Sequence, residues 1–183
     1  MTGVTEHGTG RRSRRWRLAL WGAAAGLWLL PLLAMQFTTE VAWGPRDFAV
    51  FGAMLAAACG SFELAARASG DRTYLAAVAI ALATAFMLVW ANLAVGIIGS
   101  EDEPANLLYH GVPAVGIVGA LLARFRPRGM ARALLATAVA QTLVALFAGT
   151  PQTLALTAPF IILWLASAGL FRRAARNTAG ITS

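Results

Sequence analysis

The sequence predicts an all-α fold, a polytopic bundle of six membrane-spanning helices with both termini in the cytoplasm, and three observations carry that prediction. The first is composition. Of 183 residues, 58% are apolar and 13% charged, with a mean hydropathy of +0.67, whereas soluble domains run at about 45 to 50% apolar and about 25% charged. The second is the length of the apolar runs, because a hydrocarbon core about 30 Å thick takes roughly 17 to 25 residues at about 1.5 Å each. Six runs approach that length: Leu18 to Phe37, Phe48 to Ala66, Tyr74 to Ile98, Asn106 to Ala123, Ala131 to Ala148 and Thr153 to Phe171. The third is charge. With the N-terminus inside, every arginine except Arg46 falls on the cytoplasmic side, and the chain contains no lysine, the asymmetry expected of basic residues flanking short loops. An odd number of spans would break that asymmetry.

The first span follows a basic tail, residues 1–16, which is expected to lack fixed structure. Ser13-Arg14-Arg15 has the outline of a twin-arginine export signal, but Arg17 stands where such signals want an aromatic residue. The apolar stretch also exceeds the roughly 7 to 15 residues of a signal core, and no A-x-A site follows. It is therefore read as a span, with Gly22 and Gly26 as a small-residue packing pair and Pro31 as an interruption. The second span carries Glu63 near its inner end. Arg67, four residues on, shares its helix face and predicts an ion pair in the headgroup region, with a proton-carrying Glu63 as the alternative.

The third span holds Asn92, with Gly96 and Gly99 at helical spacing beyond it. Asn92 and, in the fifth span, Gln141 are the deepest strongly polar side chains, either glue between helices or the lining of a polar passage. The fourth and sixth spans contain Pro113 and Pro159, and the fourth also carries Gly116 and Gly119. Ordinary kinks explain the prolines, but broken helices also build midplane sites in some transporters. The three C-terminal spans are the shortest, and residues 174–183 form a second cytoplasmic tail.

The most informative loop runs from Gly99 to Asn106. Glu101, Asp102 and Glu103 precede Pro104, a favoured first helical residue, so these acids suit a helix N-terminus. Asn106 and His110 follow, four apart on one face. Two readings follow: a solvated loop whose acids cap the next helix, or, with Glu40 and Asp47 from the first outer loop, an oxygen-rich, cation-attracting mouth. In that site Glu101 and Asp102 act as carboxylates, His110 as ligand or pH-responsive group, and Asn92 as the inner contact.

Several classes are excluded or disfavoured. A single cysteine, Cys59, makes no intramolecular disulfide. The pI near 11.4 does not signal nucleic acid binding, because the arginines are divided among separate inner segments rather than gathered in a stripe. No H-E-x-x-H, G-x-S-x-G or P-loop occurs, so no enzyme and no cofactor are expected.

The stretch Met35-Gln36-Phe37-Thr38-Thr39-Glu40-Val41-Ala42-Trp43 with Asp47-Phe48, together with Trp90 to Asn106, resembles a family of small bacterial multi-pass integral membrane proteins over roughly residues 30–130. The resemblance implies a helical membrane fold and a bacterial inner-membrane location, and carries no activity, cofactor or substrate. The functional expectation is a small ion or solute transporter or channel-like protein with an acidic outer-face site. The alternative is a structural or accessory subunit that docks on other membrane proteins. Expected partners are the lipid bilayer, a cation or small solute, and a second copy or other membrane proteins.

Overall fold

Long apolar runs with few interior charges leave the backbone only one way to satisfy its polar groups in hydrocarbon, which is within each helix. The computed structural model describes residues 7–39, 41–98 and 103–180, with side chains described over 15–39, 41–98 and 103–178. Six helices result: α1 (His7–Ala34), α2 (Pro45–Ala68), α3 (Arg72–Val95), α4 (Leu107–Leu122), α5 (Pro127–Ala148) and α6 (Pro151–Gly180). All six are long and apolar enough to cross a membrane, α4 once its leading 3₁₀ turn at Pro104–Asn106 is included. The three C-terminal helices reach that length because proline-led turns extend each backward from the apolar run.

Two boundaries differ from expectation. α1 begins at His7, inside the segment expected to be an unstructured tail, and α6 continues to Gly180. Arginine and alanine are good helix formers, and extending an existing helix avoids the cost of nucleation. Pro31, Pro113 and Pro159 lie within helices that continue on both sides of them, so none of the three spans is divided.

The chain divides into two compact units, residues 1–64 and 65–183, with the boundary near the end of α2. In the first unit, α1 and α2 meet through aromatic side chains. Trp28 lies over Gly52, where a β-carbon would come within 2.8 Å of the indole nitrogen, and that nitrogen donates to the Phe48 carbonyl at 2.8 Å. Phe48 is ringed edge-on by Trp28 and Trp43, and Trp16 meets Phe62 in the same way. A β-carbon added at Gly22 or Gly26 would meet nothing within 4 Å, so in this unit the pair packs against nothing.

In the second unit α3 packs on α4 and α6, and α5 on α4 and α6. Gly119 lets α4 approach α5 so closely that an added β-carbon would lie 2.6 Å from that of Ala133. The arginine-bearing end of the unit is tied by Tyr74, whose hydroxyl donates to the Phe125 carbonyl at 3.0 Å while its ring meets Phe171. The α4–α5 turn there places both Arg124 and Phe125 at positive φ, 49° and 57°, a conformation that costs roughly 1 to 2 kcal/mol per non-glycine residue. The Ser167 hydroxyl donates to the Ala77 carbonyl at 2.7 Å, joining α6 to α3. Deeper in, Gln141 is fully buried, receives the Trp164 indole N–H at 2.6 Å and donates to the Thr157 carbonyl at 3.5 Å. Of the two roles open to Gln141, these bonds make it glue between α5 and α6.

Candidate functional site

The opposite end of the second unit gathers its polar side chains around the end of α3. Gly96, at φ 69°, takes the chain out of the helix, which leaves the next backbone N–H groups without helical acceptors. Asn106 supplies them. Its Oδ1 accepts from the N–H groups of Ile97 at 3.0 Å and Ile98 at 2.8 Å, and its Nδ2 donates to the Ile98 carbonyl at 3.1 Å. The buried amide thus stands in for a strand of backbone and clamps the α3 exit to the start of α4.

Asn92, one helical turn before that exit, donates through Nδ2 to the Asn106 carbonyl at 2.9 Å, with His110 Nδ1 3.3 Å away. A backbone carbonyl only accepts, which fixes which end of the Asn92 amide points toward it. The His110 Nδ1 faces that NH₂ group and is placed to accept from it. Among the described residues, Asn92 Oδ1 is left buried with no hydrogen-bond partner, and so is the Tyr109 hydroxyl. Both residues are almost wholly enclosed, at 3% and 1% exposure. The Tyr109 hydroxyl neighbours Thr157, whose own hydroxyl donates to the Thr153 carbonyl at 2.8 Å. Thr153 in turn reaches the Ile97 carbonyl at 3.5 Å and the Thr150 hydroxyl at 2.8 Å, so α6 closes the cluster.

Of the residues expected to form the mouth, Asn92, Asn106 and His110 come together. Glu40, Glu101 and Asp102 lie outside the described residues. Asp47 belongs to the first unit, where its carboxylate accepts the Gly44 N–H at 2.8 Å and caps the start of α2. Glu63 is buried and pairs with Arg17 of α1, while its other oxygen accepts the Trp21 indole N–H at 2.9 Å. Arg67 follows one turn later in α2 and is exposed. Among the described residues no three His, Cys, Asp or Glu side chains gather in a way that suits a metal ion.

Tyr109, Thr153 and Thr157 join the cluster without having stood out in the sequence. A signal for the threonines was present, since Thr153, Thr157, Trp164, Ser167 and Phe171 recur three, four or seven apart and are all buried on α6. Tyr109 gave none, because an aromatic residue in a span is ordinarily packing. Chemically, the cluster offers an amide oxygen and a phenol oxygen to a small hydrogen-bond donor or cation, beside a half-buried imidazole. No protein-family model, no curated protein and no solved structure matches this chain.

Proposed function

We propose that this chain is a small transporter or channel-like protein of a bacterial inner membrane, with both termini in the cytoplasm, that admits a small cation or polar solute at the Asn106 end of its second unit. One observation carries the reading. Asn92 Oδ1 and the Tyr109 hydroxyl are buried at one end of an apolar helical unit without partners among the described residues, and each such group costs about 1 to 3 kcal/mol if nothing satisfies it. A small polar species that visits both oxygens removes that cost. Thr153 and Thr157 continue the polar interior along α6, and the arginine distribution supports the orientation.

The test is flux in reconstituted vesicles across a panel of monovalent cations and small neutral solutes, comparing wild type with Tyr109→Phe and Asn92→Ala. Wild type is expected to pass at least one member of the panel, and each substitution to reduce that flux about tenfold or more while the protein remains folded. Absence of flux for every solute, with Tyr109→Phe leaving thermal stability unchanged or raised, overturns the reading and leaves the accessory-subunit role in its place.

A further inference from the structure

At the arginine-bearing end of the second unit, α3 and α6 line a cleft of ≈ 620 Å³. Arg72 and Thr73 line it from the first turn of α3, and Arg173, Arg176 and Asn177 from the last turns of α6. Ala76 and Leu170, one turn deeper on each helix, make its floor apolar. Next to the floor the same helices are joined by the Tyr74–Phe171 ring contact and the Ser167 to Ala77 hydrogen bond. Its three guanidinium groups are exposed, and among the described residues none has a carboxylate within ion-pair distance. The neighbouring acid, Asp71, is already engaged, accepting the Thr73 N–H at 2.7 Å.

Arginines that serve only to orient a span have no reason to converge from two helices on one concave surface. Three forked, always-charged donors around a small space, with two further polar side chains and an apolar floor, match a tetrahedral oxyanion attached to something greasy. Basic clefts between helices at the headgroup level recognise anionic lipids in this way. We propose that the cleft binds a phosphate-bearing anionic group. Arg72, Arg173 and Arg176 take the phosphate oxygens, Thr73 and Asn177 donate at the rim, and Ala76 with Leu170 receives the start of an acyl chain or the carbon skeleton of a phosphate ester.

The test uses the full chain in detergent, following the unfolding temperature during titration with short-chain phosphatidylglycerol, short-chain phosphatidylcholine, and inorganic phosphate against chloride at matched ionic strength. A ligand that binds only the folded state raises that temperature saturably. Arg72→Gln/Arg173→Gln is compared with Arg124→Gln/Arg128→Gln, a pair at the same end of the unit but outside the cleft. The expected result is a saturable rise with phosphatidylglycerol and little with phosphatidylcholine. The cleft pair should weaken the apparent affinity about tenfold or more, since each arginine near an anionic headgroup contributes several-fold, and the control pair should leave it unchanged. An equal response to inorganic phosphate identifies a soluble phosphate ester as the source, and a response to the lipid alone identifies a headgroup. If the cleft pair does not fold, Arg176→Gln alone carries the same comparison. Equal losses in cleft and control variants, equal responses to the anionic and zwitterionic lipids, or no response of wild type to either lipid or phosphate overturns the proposal.

Discussion

Asn106 shows how much one buried amide can settle. It terminates α3 by satisfying Ile97 and Ile98, opens α4, and offers its own carbonyl to Asn92. Asn106→Ala removes three side-chain bonds and strands two backbone donors, so a loss of about 2 to 4 kcal/mol is expected. Asn106→Asp keeps the acceptor for both N–H groups and is expected to lose less. Reversible unfolding in mixed micelles measures both, and equal losses in the two variants would show that the acceptor role is not what matters. Asp47 makes a contrast. Its acidity suggested a share in a cation site, and in the structure one of its oxygens accepts the Gly44 N–H, the local demand of a helix start.

At the scale of helices, small residues decide where close contact occurs, and spacing alone does not separate the cases. Gly22 with Gly26 and Gly116 with Gly119 present similar patterns, yet only the second pair meets a neighbour, Thr137 and Ala133 of α5. Gly119→Leu is therefore expected to push α4 off α5 and cost about 1 to 3 kcal/mol, while Gly22→Ala should change stability by less than about 0.5 kcal/mol. Comparison of the two unfolding temperatures checks this, and a similar shift in both would contradict the assigned packing.

The α5–α6 contact gives a second case, because Trp164 and Gln141 satisfy each other in the core. Trp164→Phe leaves the Gln141 carbonyl oxygen short of its indole donor and is expected to cost about 1 to 3 kcal/mol, and adding Gln141→Leu should recover part of that loss. Additive losses in the double-mutant cycle would mean that the pair is uncoupled.

At the scale of the whole chain, the arginines matter for orientation. In the second unit they cluster at the end tied by Tyr74 and Phe125, while Asn106 and Thr153 occupy the other. The proposed orientation makes a direct prediction for a Cys59→Ala background, which removes the single native thiol. A membrane-impermeant thiol reagent added to intact cells should label Glu103→Cys and leave Arg128→Cys unlabelled until the membrane is opened, both positions being exposed. The reverse pattern would invert the orientation and put the Asn106 cluster on the inner face.

The number of helices, their approximate limits and the gathering of basic residues at helix ends were all legible in the chain, because each depends on local quantities: run length, propensity, and the cost of moving charge across a bilayer. Proximity of Asn92, Asn106 and His110 was legible for the same reason, since a short connection and an i, i+4 spacing bring them near one another. Partner choice was not. Glu63 has Arg67 on its own helix face, but only the structure shows that a neighbouring helix also brings Arg17 and Trp21 to it. The unsatisfied oxygens of Asn92 and Tyr109, and the convergence of Arg72 with Arg173 and Arg176 on one cleft, arise only when separate helices are set side by side. Hydrophobicity places helices in a bilayer without regard to their rotation, and packing, which acts over a few ångströms between residues far apart in the chain, decides which polar groups meet.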